Sequence, residues 1–292
     1  MRFLRQKLVD YALLMRLDRP IGIWLLLWPT LWALWIAAGG PPDRDLLLIF
    51  VAGVVLMRSA GCVINDVSDH DIDPHVARTA NRPIAAGRVR RAEGVVLFVL
   101  LALIALALVW QTNWLTILLA VPAAIIAASY PLAKRWHSMP QAHLGIAFSW
   151  GIPMAFAAQT GTVAWVAWPL FLANVLWTIA YDTFYAMADR DEDLAIGVQS
   201  SAILFGRFDR AITALLQLAT LGVLFTLGQV LGYGLWFNGG LVVAALLALR
   251  QQWQIRHRDS AACFQAFLAN HRFGAVIFIG LLLETWPQGP VL

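Results

Sequence analysis

The sequence predicts an all-α integral membrane protein with nine transmembrane helices. Of its 292 residues, 60% are hydrophobic and only 13% are charged, whereas soluble domains are about half apolar and about one quarter charged. A bilayer core about 30 Å thick requires roughly 20 apolar residues per helix, and nine such stretches follow one another with short connections. They are residues 22–38, 46–64, 93–110, 114–131, 142–160, 163–181, 210–230, 233–249 and 271–286.

The charged segment before the first span predicts a different kind of helix. Within residues 1–20, the stretch 4–17 is typical of an amphipathic helix that lies on the membrane surface. The apolar run that follows begins near Ile21, which is too late for a signal peptide, and it is also too long. We therefore treat residues 1–292 as one transmembrane domain that begins with an amphipathic, cytoplasmic segment.

The basic residues predict the orientation of the spans. Arg44 alone lies in a loop that joins an odd span to the next even span, and Arg58 lies inside the second span. The other Lys and Arg residues lie in the N-terminal segment, or in or beside the loops after spans two, four, six and eight. Because cytoplasmic loops are enriched in Lys and Arg, we expect a cytoplasmic N-terminus and a C-terminus on the opposite side.

This distribution also excludes several classes of function. The net charge of +4 reflects topology and contact with lipid, not a surface for nucleic acid. Cys62 is predicted in a helix and Cys263 in a cytoplasmic loop, where a disulfide is not expected. The six His residues have no zinc-binding spacing.

The first acidic run, CVINDVSDHDID at 62–73, follows the second span. It opens like an EF-hand loop but has Pro74 where Gly is required and Ala80 where Glu is required, so this interpretation is rejected. Read as the end of a helix that turns about 100° per residue, the run turns Asp71 away and places four oxygen-bearing side chains on one face. They are Asn65, Asp66, Asp69 and Asp73.

The second acidic run, DRDED at 189–193, follows the sixth span. The same helical count places Asp182, Asp189 and Asp193 on one face and Asp191 opposite. A single Asp of this kind is explained equally well as a solvated residue at a helix end. Crowded carboxylates at membrane depth are costly, however, and Mg²⁺ binds one or two carboxylates together with phosphate oxygens. The two runs predict Mg²⁺ ions that bridge a diphosphate at the cytoplasmic mouth of an apolar cavity.

Basic residues beside these runs predict further contacts with the diphosphate. Arg78 and Arg82 are four residues apart, and Lys134 with Arg135 follow the fourth span. Arg binds phosphate through a planar fork and Lys as a point charge, although each of these residues alone also fits membrane anchoring. A diphosphate ester whose other end belongs in lipid is a polyprenyl diphosphate, so this substrate is expected together with membrane lipid.

Five stretches of the sequence resemble the UbiA-type intramembrane prenyltransferases, especially the 4-hydroxybenzoate polyprenyltransferase branch. They are MRLDRPIG, WPTLWALW, AGCVINDVSDHDIDPHVARTANRP, YPLAKRWHSMPQAHLGIAFSWGIPMAFAA and YDTFYAMADRDEDLAIG. The N-D-x-x-D-x-x-x-D pattern is typical of the superfamily, and D-T-x-Y-A-M-x-D-R with I-P-M-A-F-A-A favours the hydroxybenzoate branch. The sequence departs from its relatives at Gln199, where they often have Lys.

The resemblance implies a fold with two related four-helix parts and a ninth helix, in a bacterial inner membrane. It implies metal and diphosphate binding by both acidic runs, with Asp69, Asp73, Asp189 and Asp193 as the catalytic acids and Mg²⁺ as the cofactor. The substrate-binding residues expected from these stretches and from the basic loops are Arg58, Arg78, Arg82, Lys134, Arg135 and Tyr185.

The activity implied is transfer of a polyprenyl chain to the ring carbon ortho to the hydroxyl of 4-hydroxybenzoate, in ubiquinone synthesis. Arg58, two turns before Asn65 on the same face, needs a partner. That partner is either an acid of the cluster or a helix carbonyl, or it is the acceptor carboxylate or the diphosphate.

Two other functions are considered. A cation-coupled or proton-coupled transporter would place acids near mid-span, whereas these acids lie at helix ends on one side of the membrane. A prenyltransferase of the same superfamily could instead use a naphthoate, homogentisate or haem as acceptor, and a product assay with each acceptor distinguishes these activities.

Overall fold

A computed structural model of the chain describes residues 2–71, 73–75 and 79–286, without the side chains of 2–4, 75, 131, 132 and 134–136. The described part of the chain is all-helical and has no strand, which confirms the predicted class. Its α-helices are α1 (Arg2–Leu14), α2 (Ile21–Ala38), α3 (Arg44–Ser68), α4 (Arg91–Val109), α5 (Trp114–Trp136), α6 (Pro140–Ser149), α7 (Gly151–Thr160), α8 (Ala167–Ala188), α9 (Arg190–Ile196), α10 (Ser201–Phe205), α11 (Asp209–Val230), α12 (Leu235–Gln254) and α13 (Ser260–Glu284). Short 3₁₀ turns occur at Asp73–His75, Gly206–Phe208 and Ile255–His257.

Each of the nine predicted spans overlaps helical structure. By length and composition alone, five helical segments of the described chain are long and apolar enough to cross a membrane. They are Ile21–Ala38, Arg44–Ser68, Arg91–Val109, Ser201–Val230 and Ser260–Glu284. The protein is therefore a multi-pass membrane protein.

The fifth predicted span, 142–160, is not one helix. It divides into α6 and α7 at Trp150. Pro153 explains the break, because proline has no N–H to donate to the carbonyl of Ser149 and its ring crowds that carbonyl. The helix axis can therefore change direction beside the cavity that is described below.

The ninth predicted span, 271–286, begins too late. Helix α13 starts at Ser260, where the Asp259 carboxylate accepts a hydrogen bond from the N–H of Ala262 at 2.9 Å and so caps the helix. Cys263 consequently lies buried within α13 and not in a loop, which corrects the expectation. Cys62 and Cys263 are both free thiols, as predicted.

The main apolar core joins α2, α8 and α13. Trp32 and Trp177 are fully buried with ring centroids 5.4 Å apart. The Trp177 indole donates to Asn270 Oδ1 at 3.0 Å, and the Trp32 indole donates to the carbonyl of Gly274 at 3.2 Å. Buried indole N–H groups need such acceptors, so these bonds hold the three helices in one register and position the C-terminal end of α8.

A second apolar cluster packs α1 against α3 and the loop that precedes α4. Leu14 is fully buried in this cluster with Val63, Ile84 and Val89. On the other side of α1, Leu8 is 61% exposed. The predicted N-terminal helix is therefore present, and one face of it is a packed part of the fold.

Candidate functional site

A cavity of about 1330 Å³ is lined by residues of helices α1 to α9 and of α13. Its polar end is formed by the two acidic runs, and its wall is otherwise mainly apolar. Every predicted site residue whose side chain is described lines this cavity. They are Arg58, Asn65, Asp66, Asp69, Asp73, Arg82, Asp182, Tyr185, Asp189 and Asp193.

The apolar part of the cavity extends between α4 and α5. These helices pack on their other neighbours and touch each other little. Leu103 of α4 and Ala124 of α5 line the cavity and are also exposed. The cavity is therefore open along the apolar flank of the helix bundle, where there is room for a long apolar chain to extend.

The first acidic run does not continue α3 as a regular helix, which corrects the prediction. Helix α3 ends at Ser68, because carboxylates at a helix C-terminus oppose the helix dipole and Pro74 has no N–H to continue the ladder. Two bonds nevertheless preserve the spacing. The N–H of Asp69 donates to the carbonyl of Asn65 at 2.9 Å, and the N–H of Asp73 donates to the carbonyl of Asp69 at 2.8 Å.

These bonds keep Asn65, Asp69 and Asp73 at successive four-residue positions beside the cavity. The Asn65 amide donates to Asp69 Oδ2 at 3.1 Å. Asp71 lies away from them, with its side chain 79% exposed.

Two acids of the run are bound by arginine: Asp66 by both Arg16 and Arg82, and Asp73 by Arg82 alone. Its carboxylate is only 1% exposed and accepts from Arg16 Nη2 at 2.8 and 3.0 Å. Arg82 Nη1 reaches Asp66 at 3.1 Å and also contacts both oxygens of Asp73, at 2.9 and 3.0 Å. Burial raises the pKa of Asp73, and the positive charge of Arg82 opposes this shift. Asp66 therefore lies in an ion-pair network.

The second acidic run also leaves its helix, which is a further correction. Helix α8 ends at Ala188, and the short helix α9 begins at Arg190. The Ser260 hydroxyl donates to the carbonyl of Ala188 at 2.7 Å, so a side chain from α13 satisfies an acceptor at the end of α8. The N–H of Asp193 donates to the carbonyl of Asp189 at 2.9 Å, and these two acids line the cavity together with Asp182.

Arg58 lies in the cavity wall below the acids. Its Nη1 donates to the thiol of Cys62 at 2.8 Å, and its guanidinium carbon lies 5.9 Å from the centre of the Phe148 ring. Arg58 Nε is buried, and no hydrogen-bond partner for it exists among the described residues. No acid and no helix carbonyl of the described chain accepts a hydrogen bond from this guanidinium, but the negative charge of Asp182 acts on it.

The donor set fits a divalent ion that a diphosphate shares. Among the described residues, no three His, Cys, Asp or Glu side chains are close enough to hold one metal ion. The seven predicted ligands therefore do not form a closed protein cage. They form two groups of oxygen donors on one cavity, and this suits Mg²⁺, which binds one or two carboxylates and completes its shell with water and phosphate oxygens.

Some predicted residues lie outside the described part of the site. They are Arg78 and the side chains of Lys134 and Arg135.

Two further residues that the sequence singled out are described. Tyr185 packs against Phe267, with ring centroids 5.0 Å apart. Gln199, at the position where relatives often have Lys, accepts from the Ser138 hydroxyl at 2.6 Å and also lines the cavity.

The prediction missed Arg16 and Tyr130, which both line the cavity. Arg16 lies in the stretch MRLDRPIG and Tyr130 begins the stretch YPLAKRWH, so the resemblance marked both regions. Within these stretches, the sequence does not distinguish Arg16 from the basic residues that set the topology. It also does not distinguish Tyr130 from an aromatic residue that only packs in the core.

The comparisons with known proteins agree with this arrangement. A model described as the UbiA prenyltransferase family matches residues 26–278. The 4-hydroxybenzoate octaprenyltransferase of Nitrosococcus oceani is 58% identical over 281 residues, covering 96% of this chain and 99% of the relative. An apo structure of a UbiA homolog from Aeropyrum pernix K1 has 25% identity and a TM-score of 0.79, covering 90% of this chain and 97% of that one.

A second solved structure shows the same fold. The UbiA homolog from Archaeoglobus fulgidus bound to GPP and Mg²⁺ has a TM-score of 0.74 at 14% identity, and the match covers 94% of this chain and 99% of that chain. The resemblance seen in the five sequence stretches is confirmed by these matches: the chain belongs to the UbiA prenyltransferase family.

Proposed function

We propose that this protein is a Mg²⁺-dependent aromatic prenyltransferase. It transfers a polyprenyl chain from polyprenyl diphosphate to the ring carbon ortho to the hydroxyl of 4-hydroxybenzoate, in ubiquinone biosynthesis. The products are 3-polyprenyl-4-hydroxybenzoate and diphosphate. The observation that carries the proposal is one cavity with two acidic groups at its polar end and an apolar flank that reaches exposed side chains of α4 and α5. The name of the Nitrosococcus relative supports this acceptor and suggests an octaprenyl chain.

The acidic end is the proposed diphosphate site. Asn65, Asp69 and Asp73 would hold metal on one side, and Asp182, Asp189 and Asp193 on the other. When bound, Mg²⁺ supplies positive charge against the diphosphate leaving group. Arg82 adds a guanidinium fork beside Asp73, and such forks suit phosphate oxygens.

The acceptor is proposed to bind deeper, at Arg58. Nε of Arg58 faces Gly22 on α2, so the proposed donors to the carboxylate of 4-hydroxybenzoate are the terminal guanidinium N–H groups other than the one that donates to Cys62. Phe148 lies beside this guanidinium and offers an apolar surface to the aromatic ring. With its carboxylate held here, the acceptor is confined to the cavity that opens toward the acids.

The bond changes follow from this placement. The C–O bond between the prenyl chain and the diphosphate breaks, the diphosphate leaves with the electron pair, and an allylic cation forms. The electron-rich ring carbon ortho to the hydroxyl then forms the new C–C bond, and that carbon loses its proton. The apolar wall keeps water away from the cation, which would otherwise be quenched.

We further propose that the chain crosses the bacterial inner membrane nine times, in two related four-helix parts with a ninth helix added. The N-terminus would be cytoplasmic and the C-terminus periplasmic. Exposed Trp side chains in or beside the connections from odd to even spans, and one at the end of span nine, support this orientation, because they suit the opposite membrane interface. They are Trp110, Trp114, Trp165, Trp168, Trp236 and Trp286.

The purified protein in nanodiscs tests the function directly. With Mg²⁺, labelled 4-hydroxybenzoate and polyprenyl diphosphates of several lengths, we expect 3-polyprenyl-4-hydroxybenzoate, identified by mass spectrometry. A chelator should abolish its formation, and added Mg²⁺ should restore it. Product formed only from a naphthoate, homogentisate or haem acceptor would reject the acceptor assignment, and transport without any prenylated product would reject the enzyme class.

A further inference from the structure

We propose that α1 is a strap that positions Arg82, and that Arg16 at its end is a positioning residue for diphosphate binding. A closed ring of charged contacts leads from α1 to the loop before α4, through Arg82 to α3, and back to α1. The proposal rests on the proposed function, because Arg82 needs a fixed orientation only if it meets a diphosphate.

One side of the ring passes through Asp66. This carboxylate, 1% exposed, accepts both from Arg16 Nη2 and from Arg82 Nη1. A buried carboxylate needs compensating charge. Without Arg16, the single positive charge of Arg82 would face two carboxylates, those of Asp66 and Asp73. The second guanidinium, from Arg16, balances this set and leaves Arg82 held between both acids at the edge of the cavity.

The other side of the ring passes through Arg88. Asp10 of α1, whose side chain is 3% exposed, accepts from Arg88 Nε at 2.8 Å. Arg88 Nη2 donates in turn to the carbonyl of Asn81 at 3.0 Å, and Asn81 directly precedes Arg82. The α1 segment is therefore connected to Asn81 and Arg82 by two routes, from Asp10 through Arg88 and from Arg16 through Asp66.

The strap is fixed at further points that do not belong to the ring. Lys7 Nζ and the Tyr11 hydroxyl both donate to Glu93 Oε2, each at 2.8 Å. Leu14 is fully buried against α3 and the loop. These contacts are unnecessary for a helix that only lies on lipid, and they make α1 a rigid base for the ring.

The backbone of Arg16 indicates that its position is specified. Its φ angle is +56°, a value that residues other than glycine seldom adopt. The Nη1 group donates to the carbonyl of Leu13 at 3.0 Å, and Nη2 is directed to Asp66. This φ belongs to the Schellman motif that ends α1, in which the N–H of Arg16 donates to the carbonyl of Leu13 and the N–H of Leu17 donates to the carbonyl of Ala12, each at 3.1 Å. The motif fixes the point at which Arg16 leaves the helix, and from there its side chain reaches Asp66.

Kinetics of the full-length enzyme test the positioning role. We expect Arg16→Gln to raise KM for polyprenyl diphosphate about tenfold, while kcat and KM for 4-hydroxybenzoate change less than about twofold, because uniform binding of one substrate is lost. Arg16→Lys keeps the charge without the planar fork, so its KM for polyprenyl diphosphate should lie between those of the wild type and Arg16→Gln. Asp10→Asn should act in the same direction, and Arg5→Gln, on the exposed side of α1, is the matched control.

A double variant distinguishes positioning from direct contact. If Arg16 and Asp10 act through one ring, Arg16→Gln with Asp10→Asn should raise KM by less than the product of the single effects. Equal multiplication of the two effects, or an unchanged KM in Asp10→Asn, would instead make Arg16 an independent diphosphate ligand and overturn the proposal.

Hydrogen exchange provides a readout that needs no substrate or metal. In metal-free protein, Arg16→Gln should accelerate exchange at the N–H groups of Arg82, Ala86 and Val89, which are bonded within the loop. Unchanged exchange there, in a variant that remains monodisperse, would overturn the strap. If the wild-type enzyme made no prenylated product but the exchange effect appeared, the proposed function would fail while the ring stood.

Discussion

A Cβ atom at Gly22 would lie only 2.0 Å from Nε of Arg58, so glycine on α2 provides the space that the guanidinium on α3 occupies. The same Cβ would lie 2.6 Å from Nη2. The proposed acceptor site therefore depends on two residues that are far apart in the sequence and in contact across two helices.

Gly22→Ala should displace Arg58 and weaken acceptor binding. We expect KM for 4-hydroxybenzoate to rise on the order of tenfold, since the guanidinium must move by about 1 Å or more to relieve the overlap. Steady-state kinetics with each substrate varied in turn will measure this. Gly222→Ala is the control, because nothing lies within 4 Å of its new Cβ. Equal behaviour of both variants would contradict the contact.

Arg58→Lys should raise KM for one substrate in a folded protein. Lysine retains the charge but loses the planar fork, and a bidentate carboxylate contact depends on that fork. We expect the rise for 4-hydroxybenzoate. A rise for polyprenyl diphosphate would reassign Arg58 to the leaving group, and unchanged KM values for both substrates would leave it only a structural role.

The loss of activity on replacing an Asp should depend on whether its side chain faces the cavity. Asp69→Asn and Asp189→Asn, at the cavity, should each lower kcat/KM by on the order of 100-fold or more, because charge stabilisation of the leaving group is lost. Asp71→Asn and Asp191→Asn change exposed side chains and should remain within a few fold of wild type. Similar losses for Asp69→Asn and Asp71→Asn would show that the geometry of the first run is misassigned.

Reporter fusions should show an N-terminus inside and a C-terminus outside. A reporter that is active only in the periplasm should give signal when it is fused after Leu292, since the basic loops alternate with nearly uncharged ones. A reporter that is active only in the cytoplasm serves as the reciprocal test at the same position. Signal from that second reporter would mean that the number of crossings is even.

Glu284 should stabilise the fold without affecting catalysis. Its carboxylate accepts from the backbone N–H groups of Gly234, Trp236 and Phe237 at 2.8 to 3.0 Å and so caps α12 from α13. Glu284→Ala should cost about 1–2 kcal/mol, as loss of a cap does, and should lower the temperature of thermal unfolding in detergent. Glu284→Gln, which keeps an acceptor oxygen, should lose less. Equal unfolding temperatures for all three proteins would count against the cap.

The approximate site could be predicted because the acids within each of its two runs are close together in sequence. Asn65, Asp69 and Asp73 stay at four-residue intervals even though α3 ends at Ser68, because backbone hydrogen bonds continue through the turn. The helical count therefore gave useful directions for Asp71 and its neighbours despite the wrong helix boundary. Helix ends depend on caps and on contacts from elsewhere, such as the bond from Ser260 to the end of α8, and local periodicity does not contain them.

The sequence by itself determined the membrane class, the helical fold, the polar end of the site and the family. These follow from composition, apolar segment length and short motifs, which are local properties of the chain. Only the tertiary structure decided which charges meet. Asp66 pairs with Arg16, 50 residues away, and Arg58 fits against Gly22, because side chains on different helices become neighbours only when the helices pack.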